Sequence, residues 1–173
     1  MILRLFLTIF LSCATNLPLT IESILRFLEM MANTSIIRFF YESSGFRFTD
    51  RTRLKSFLAK LFKKESTSLQ SLNYIFCSDD YLLNINKSYL QHDYYTDIIT
   101  FNLSKNGPVE GEIYISIDRV RENAVTEGES MNRELHRVLF HGALHLCGYR
   151  DKSVKDQAEM RKMEDQYLAL YFK

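Results

Sequence analysis

Apolar and polar residues change their period several times along this chain, and the changes mark its elements. Residues 35–41, Ser-Ile-Ile-Arg-Phe-Phe-Tyr, are rich in β-branched and aromatic side chains and read as a first strand. After the turn signal at Gly45, Asp50 stands as a candidate N-cap. Leu54, Phe57, Leu58 and Leu61 then recur at i, i+3, i+4 and i+7, one face of an amphipathic helix. Residues 72–78 predict a second strand, and Asp79 and Asp80 are placed to cap a helix reaching about Leu90. Residues 98–103 and 111–117 predict two more strands. The Asn106-Gly107-Pro108 turn between them suggests a hairpin. Helices over about 118–126, 131–147 and 153–170 close the chain. The expected fold is α+β: a single domain, with a small mixed four-stranded sheet covered by helices.

The N-terminal stretch does not fit this scheme. Leu5 to Cys13 is an apolar run after Arg4, as a signal peptide would have, but it is too short for a confident membrane span. Met30 and Met31 stand just before the first strand. Residues 1–30 are therefore read as an extension outside the working domain, through a misassigned start or, second, a signal peptide. Residues 31–173 are read as the catalytic domain.

Length and composition limit the possibilities further. With 173 residues, 46% of them hydrophobic, the chain can bury one core. Its 22 basic and 21 acidic residues leave a net charge of +1, so charge does not announce a nucleic-acid binder, and any RNA contact must be local. Basic residues do gather at Arg51, Arg53, Lys55, Lys60, Lys63 and Lys64, where a solvated helix face explains them first. The three cysteines, Cys13, Cys77 and Cys147, form no disulfide framework and suit a reducing, cytoplasmic setting.

The chemistry concentrates in residues 141–151. His141 and His145 are four apart on a predicted helix, so both imidazoles leave the same face with Cβ atoms about 5–6 Å apart. Two nitrogens so placed can share one metal ion, as on the zinc helix of metalloproteases. Gly148 permits a left-handed helix end, after which the chain can turn back and bring Asp151 to the same ion. Three protein ligands leave a position free for water, the arrangement of a catalytic zinc site. Chance pairing of two histidines is the bland alternative. Against it, the helix around them is apolar, and two imidazoles buried there need partners for their nitrogens. Cys147, two residues from His145, points to another face and is expected to be a small packed residue.

The stretch from His141 to Asp151 resembles the signature of the YbeY family of endoribonucleases, His-Gly-x-Leu-His-Leu-x-Gly-Tyr-Asp-His. His141, Gly142, Leu144, His145, Leu146, Gly148 and Tyr149 match it. The family's third histidine falls on Asp151 and its preceding aspartate on Arg150. Asp is an ordinary zinc ligand, although its charge makes bound water less acidic and could widen the choice to manganese or iron. Upstream, Leu83-Asn84, Tyr89, Asp93, Thr96 to Phe101 and Gly111 to Ser116 resemble further family segments. An arginine common in the family after the tyrosine is Leu90 here. His92, Lys87 and Arg150 are candidates for holding a phosphate, with His92 and Arg150 taken as substrate-binding.

The resemblance implies a zinc-dependent, single-strand-specific endoribonuclease. It would act in rRNA maturation, at the 3′ end of 16S rRNA, and in ribosome quality control. It also implies rRNA, the ribosome and ribosomal proteins as partners, one Zn2+ per chain and no membrane. Other readings remain. A protease is disfavoured because Gly142 replaces the glutamate of His-Glu-x-x-His, and that glycine could instead let a bulky substrate backbone approach the metal. A non-haem iron oxygenase would draw its ligands from strands. A non-catalytic assembly factor, with the metal only pinning the last two helices, predicts that His145→Ala unfolds the chain or leaves binding intact.

Overall fold

The structure is a computed structural model, and it describes residues 36–42 and 45–173. The readings of residues 1–30 lie outside them. Four strands and five α-helices follow one another: β1 (Ile37–Tyr41), α1 (Arg51–Lys64), β2 (Leu69–Cys77), α2 (Asp79–Ile85), β3 (Ile98–Asn102), β4 (Val109–Ser116), α3 (Ile117–Thr126), α4 (Met131–Leu146) and α5 (Val154–Tyr171). The expected α+β class is observed.

The sheet order is β1-β2-β4-β3. β1 runs parallel to β2, and β2 parallel to β4, while β3 and β4 form the expected antiparallel hairpin. Ile113 and Ile115 alternate with Tyr114 along β4, so each face of the sheet receives its own side chains. The larger face carries Leu72, Tyr74, Phe76, Ile113 and Ile115; α4 lies on it, and α1 and α5 pack on α4 in the same core. The smaller one joins Cys77 and Ile99 to Leu82 of α2.

Helix α4 is the centre of the domain. From Glu134 to Phe140 every residue is buried, as are Gly142, Ala143, Leu144 and Leu146. Ser130 caps it by accepting from the backbone N–H of Arg133, and the Tyr74 hydroxyl donates to the Leu139 carbonyl at 2.9 Å. This burial fixes the rotation of α4, and with it the one edge on which His141 and His145 emerge.

Several local expectations change. Ser78, not Asp79 or Asp80, caps α2, because its β-region backbone lets the side chain accept from Tyr81 N–H; the two acids occupy the first turn, where they suit the helix dipole. Asp50 makes no side-chain cap bond to α1. α2 ends at Ile85, and a π-helical turn continues to Leu90, closed by Gln91 in the left-handed region at φ 58°. β2 and β4 begin earlier than predicted, at Leu69 and Val109, because they pair with each other there in spite of the polar Gln70 and Ser71.

Candidate metal centre

The end of α4 is built by its sequence. Gly148 adopts φ 98°, donating to the His145 carbonyl at 3.0 Å, and Tyr149 N–H donates to the Leu144 carbonyl at 3.1 Å. This is a Schellman turn, and the left-handed residue it needs is the glycine. The turn leaves the Tyr149 carbonyl facing His145, whose Nδ1 donates to it at 3.0 Å. Two residues later Asp151 points back over the helix end, with Oδ2 3.4 Å from His145 Nε2 and 3.7 Å from His141 Nε2.

The two imidazoles are oriented by groups that can only accept. His141 Nδ1 donates to Glu164 Oε1 of α5 at 2.7 Å, and His145 Nδ1 donates to the Tyr149 carbonyl. Both Nε2 atoms of the neutral rings therefore carry lone pairs, and they face each other at 2.9 Å. Two lone pairs at that distance need a positive centre between or beside them, which a proton on His141 or a metal ion supplies. With the Asp151 carboxylate added, the three donor atoms lie 2.9, 3.4 and 3.7 Å from one another, spacings that one ion reaching about 2.0–2.2 Å to each donor can span. The residues present fit a divalent ion. Burial works against a charge on His141, but the hydrogen bond and charge of Glu164, helped by Asp97 and Asp151, outweigh it and hold its pKa above the usual imidazole value.

Glu164 is itself held. It is buried, and its Oε2 accepts from Arg137 Nη1 at 3.4 Å; Arg137, also buried, pairs further with Asp165 at 2.9 Å and Glu134 at 3.4 Å. A chain of charges thus runs from the core of α4 through α5 to the first imidazole. Beside it opens a cavity of about 400 Å³, lined by His141, Asp151, Glu164, Asp97, Asn123 and Arg161 among others. The Asp151 side chain is 43% exposed, so the group meets solvent on this side. A closed structural site would not.

His141, His145 and Asp151 are thus brought together. Arg150 and His92 are not joined to them: both are exposed and neither lines the cavity, and His92 stacks on Tyr94 instead. Lys87 is tied to Asp93 at 2.7 Å. Cys147 packs against the core, as expected. The basic residues of α1 are largely exposed, with Arg53 laid over Tyr171 and Lys64 over Tyr167.

The expectation for Gly142 is corrected. It is buried, and a Cβ there would come within 2.8 Å of Ile98 Cδ1 and 2.9 Å of Ile113 Cδ1. The glycine lets α4 press on the sheet and does not open the metal group to a substrate. Glu164 and Asp97 were not singled out from the sequence for this site. The signal for Glu164 was an acid inside the buried stripe Met160, Glu164, Tyr167, Leu168 and Tyr171. Asp97, which accepts from Asn123 Nδ2 at 3.1 Å, carried no such signal.

Fold and site together define a class, an α+β domain whose helix-borne His-His-carboxylate group opens on a polar cavity. The comparisons with known proteins narrow it. A family model described as Endoribonuclease YbeY matches residues 42–171. Proteins named Endoribonuclease YbeY from Cytophaga hutchinsonii and Flavobacterium psychrophilum are 50% and 45% identical to the chain; the alignments cover 78% and 79% of it, and 94% and 96% of those proteins. The solution structure of TM1509 from Thermotoga maritima superposes with a TM-score of 0.55 at 31% identity, covering 79% of this chain and 89% of that one. The chain belongs to the Endoribonuclease YbeY family.

Proposed function

We propose that this chain cleaves single-stranded RNA with one zinc ion held by His141, His145 and Asp151. It is an endoribonuclease, a hydrolase, and its role is in rRNA processing. The finer assignment is late maturation of the 16S rRNA 3′ end and ribosome quality control, in the cytoplasm. The ribosome and its proteins would be partners and residues 31–173 the working domain. Among the described residues no helix is long and apolar enough to cross a membrane.

The observation that carries the metal assignment is the facing pair of Nε2 lone pairs, closed by Asp151. A zinc ion there would supply water acidified to near neutrality and a Lewis acid for a phosphoryl oxygen. The protein's own part is orientation. Glu164 and the Tyr149 carbonyl fix the ring tautomers, and the Schellman turn aims the carboxylate. Asp97 and Asn123 give the adjoining cavity a polar wall. Because that cavity is open, the group suits turnover better than a metal that only pins two helices. Zinc-loaded protein offered structured RNA and casein tests the reading. RNA cleavage that disappears in a folded His145→Ala variant is expected; proteolysis without RNA cleavage contradicts it.

A further inference from the structure

Residues 89–95 form a surface that the metal centre does not use. Tyr89, Tyr94 and Tyr95 are 74%, 58% and 47% exposed, an unusual display for large aromatic rings in one short segment. The segment is pinned from below: buried Asn86 donates its side-chain amide to the Tyr94 carbonyl at 2.8 Å, and His92 N–H donates to the Asn86 carbonyl at 3.2 Å. The rings are held in place by their neighbours. His92 stacks on Tyr94 with centroids 5.1 Å apart at 21°, Tyr89 meets Phe101 edge-on at 6.0 Å, and the Arg119 guanidinium lies 4.8 Å from the Tyr95 centroid. Exposed Gln91, His92 and Asp93 separate Tyr89 and its neighbour Leu90 from the adjacent pair Tyr94 and Tyr95.

We propose that Tyr89, Tyr94 and Tyr95, with His92, are a stacking platform for the bases of single-stranded RNA. This rests on the endoribonuclease reading and adds where the substrate is held. One observation favours RNA over a protein partner. The segment runs without a break into Asp97 and Ile98, which line the cavity with His141 and Asp151, so a strand lying on it is led to the metal centre. The nearby cations are already paired, Lys87 with Asp93 and Arg119 with Asp79 and Glu122, which leaves the ring faces as the chief source of affinity. Base–aromatic stacking tolerates any sequence, because every base has a ring face to stack.

The test uses the full chain in a chelator, so that no cleavage occurs, and a labelled single-stranded RNA decamer of mixed sequence. Tyr94→Ala and Tyr95→Ala should each weaken binding about five- to a hundredfold, the span of one lost base–aromatic stack. Tyr94→Phe and Tyr95→Phe should stay within about twofold, since the ring face remains. The dependence of binding on salt should be the same in all five proteins, because no phosphate contact is removed. With zinc restored, the alanine variants should raise KM and leave kcat in place. If the parent binds and cuts RNA and the alanine variants match it, the platform alone is wrong. It is also wrong if those variants keep RNA affinity and lose a ribosomal protein instead. A parent that neither binds nor cuts RNA removes the endoribonuclease reading and the platform with it.

Discussion

Glu164 lies 23 residues beyond His141, and its carboxylate Oε1 accepts from His141 Nδ1 at 2.7 Å. The pair joins the last two helices at the candidate metal centre and determines which nitrogen of His141 is free to bind. Glu164→Gln keeps the shape but weakens the acceptor, and the amide can present N–H instead. Metal affinity should fall about 10- to 100-fold, the usual cost of losing such a partner, as measured by competition with a chromophoric chelator. Glu164→Ala should also destabilise the fold by about 3 kcal/mol, the low end for breaking a buried pair, because Arg137 keeps Asp165 and Glu134. Denaturant unfolding of the metal-free protein reads this second loss by itself.

Asp151 is the third candidate donor and the most exposed of the three. Asp151→Asn should weaken zinc binding, since the neutral amide oxygen is a poorer ligand than a carboxylate. Asp151→His should largely preserve it, because an imidazole nitrogen is an ordinary zinc ligand. Titration of both variants beside the parent checks the pair. Equal affinity in all three would show that Asp151 does not bind the ion.

Glycine at two positions lets α4 approach the sheet. A methyl at Gly142 would meet the ends of Ile98 and Ile113, which can shift by small rotations, and one at Gly111 would collide with Leu146. Each alanine substitution should cost about 1–3 kcal/mol by overpacking. Gly111→Ala should be the worse, because its contact is the tighter. Thermal or denaturant unfolding ranks them. A neutral Gly142→Ala would mean that the helix sits less tightly than it does here.

His136 predicts a pH effect away from the metal. It is buried against Phe48, Phe140, Tyr171 and Phe172; Nδ1 donates to the Asn132 carbonyl at 2.6 Å, and Nε2 has no partner. Burial, the largest influence, holds its pKa below the usual imidazole value. The unfolded chain then binds the proton more readily than the folded one. The contribution of His136 is full above the unfolded pKa, about 6.5, and is lost as pH falls below it. Unfolding free energies of the parent and His136→Leu, compared at pH 7 and pH 5 in a chelator, should show a larger acid loss in the parent. Equal losses would contradict this account of His136.

The candidate metal triad was legible because its geometry is local. A spacing of four on a helix, a glycine and three more residues bring the donors together whatever the rest of the fold does. The hairpin was legible for the same reason. The parallel pairing of β2 with β4, strands separated by α2 and β3, depends on contacts between distant segments that no short pattern records. Glu164 reaches His141 only through the packing of α5 on α4. Gly142 was misread because a residue beside a ligand suggests chemistry, whereas its direction, toward Ile98 and Ile113, is set by the rotation of the whole helix.

Zinc binding by equilibrium dialysis of the full chain and of His145→Ala, with circular dichroism to verify folding, tests the account most directly. One zinc per parent chain is expected, with a folded variant whose affinity has dropped by orders of magnitude. A folded His145→Ala protein that still holds one zinc as tightly as the parent would contradict it.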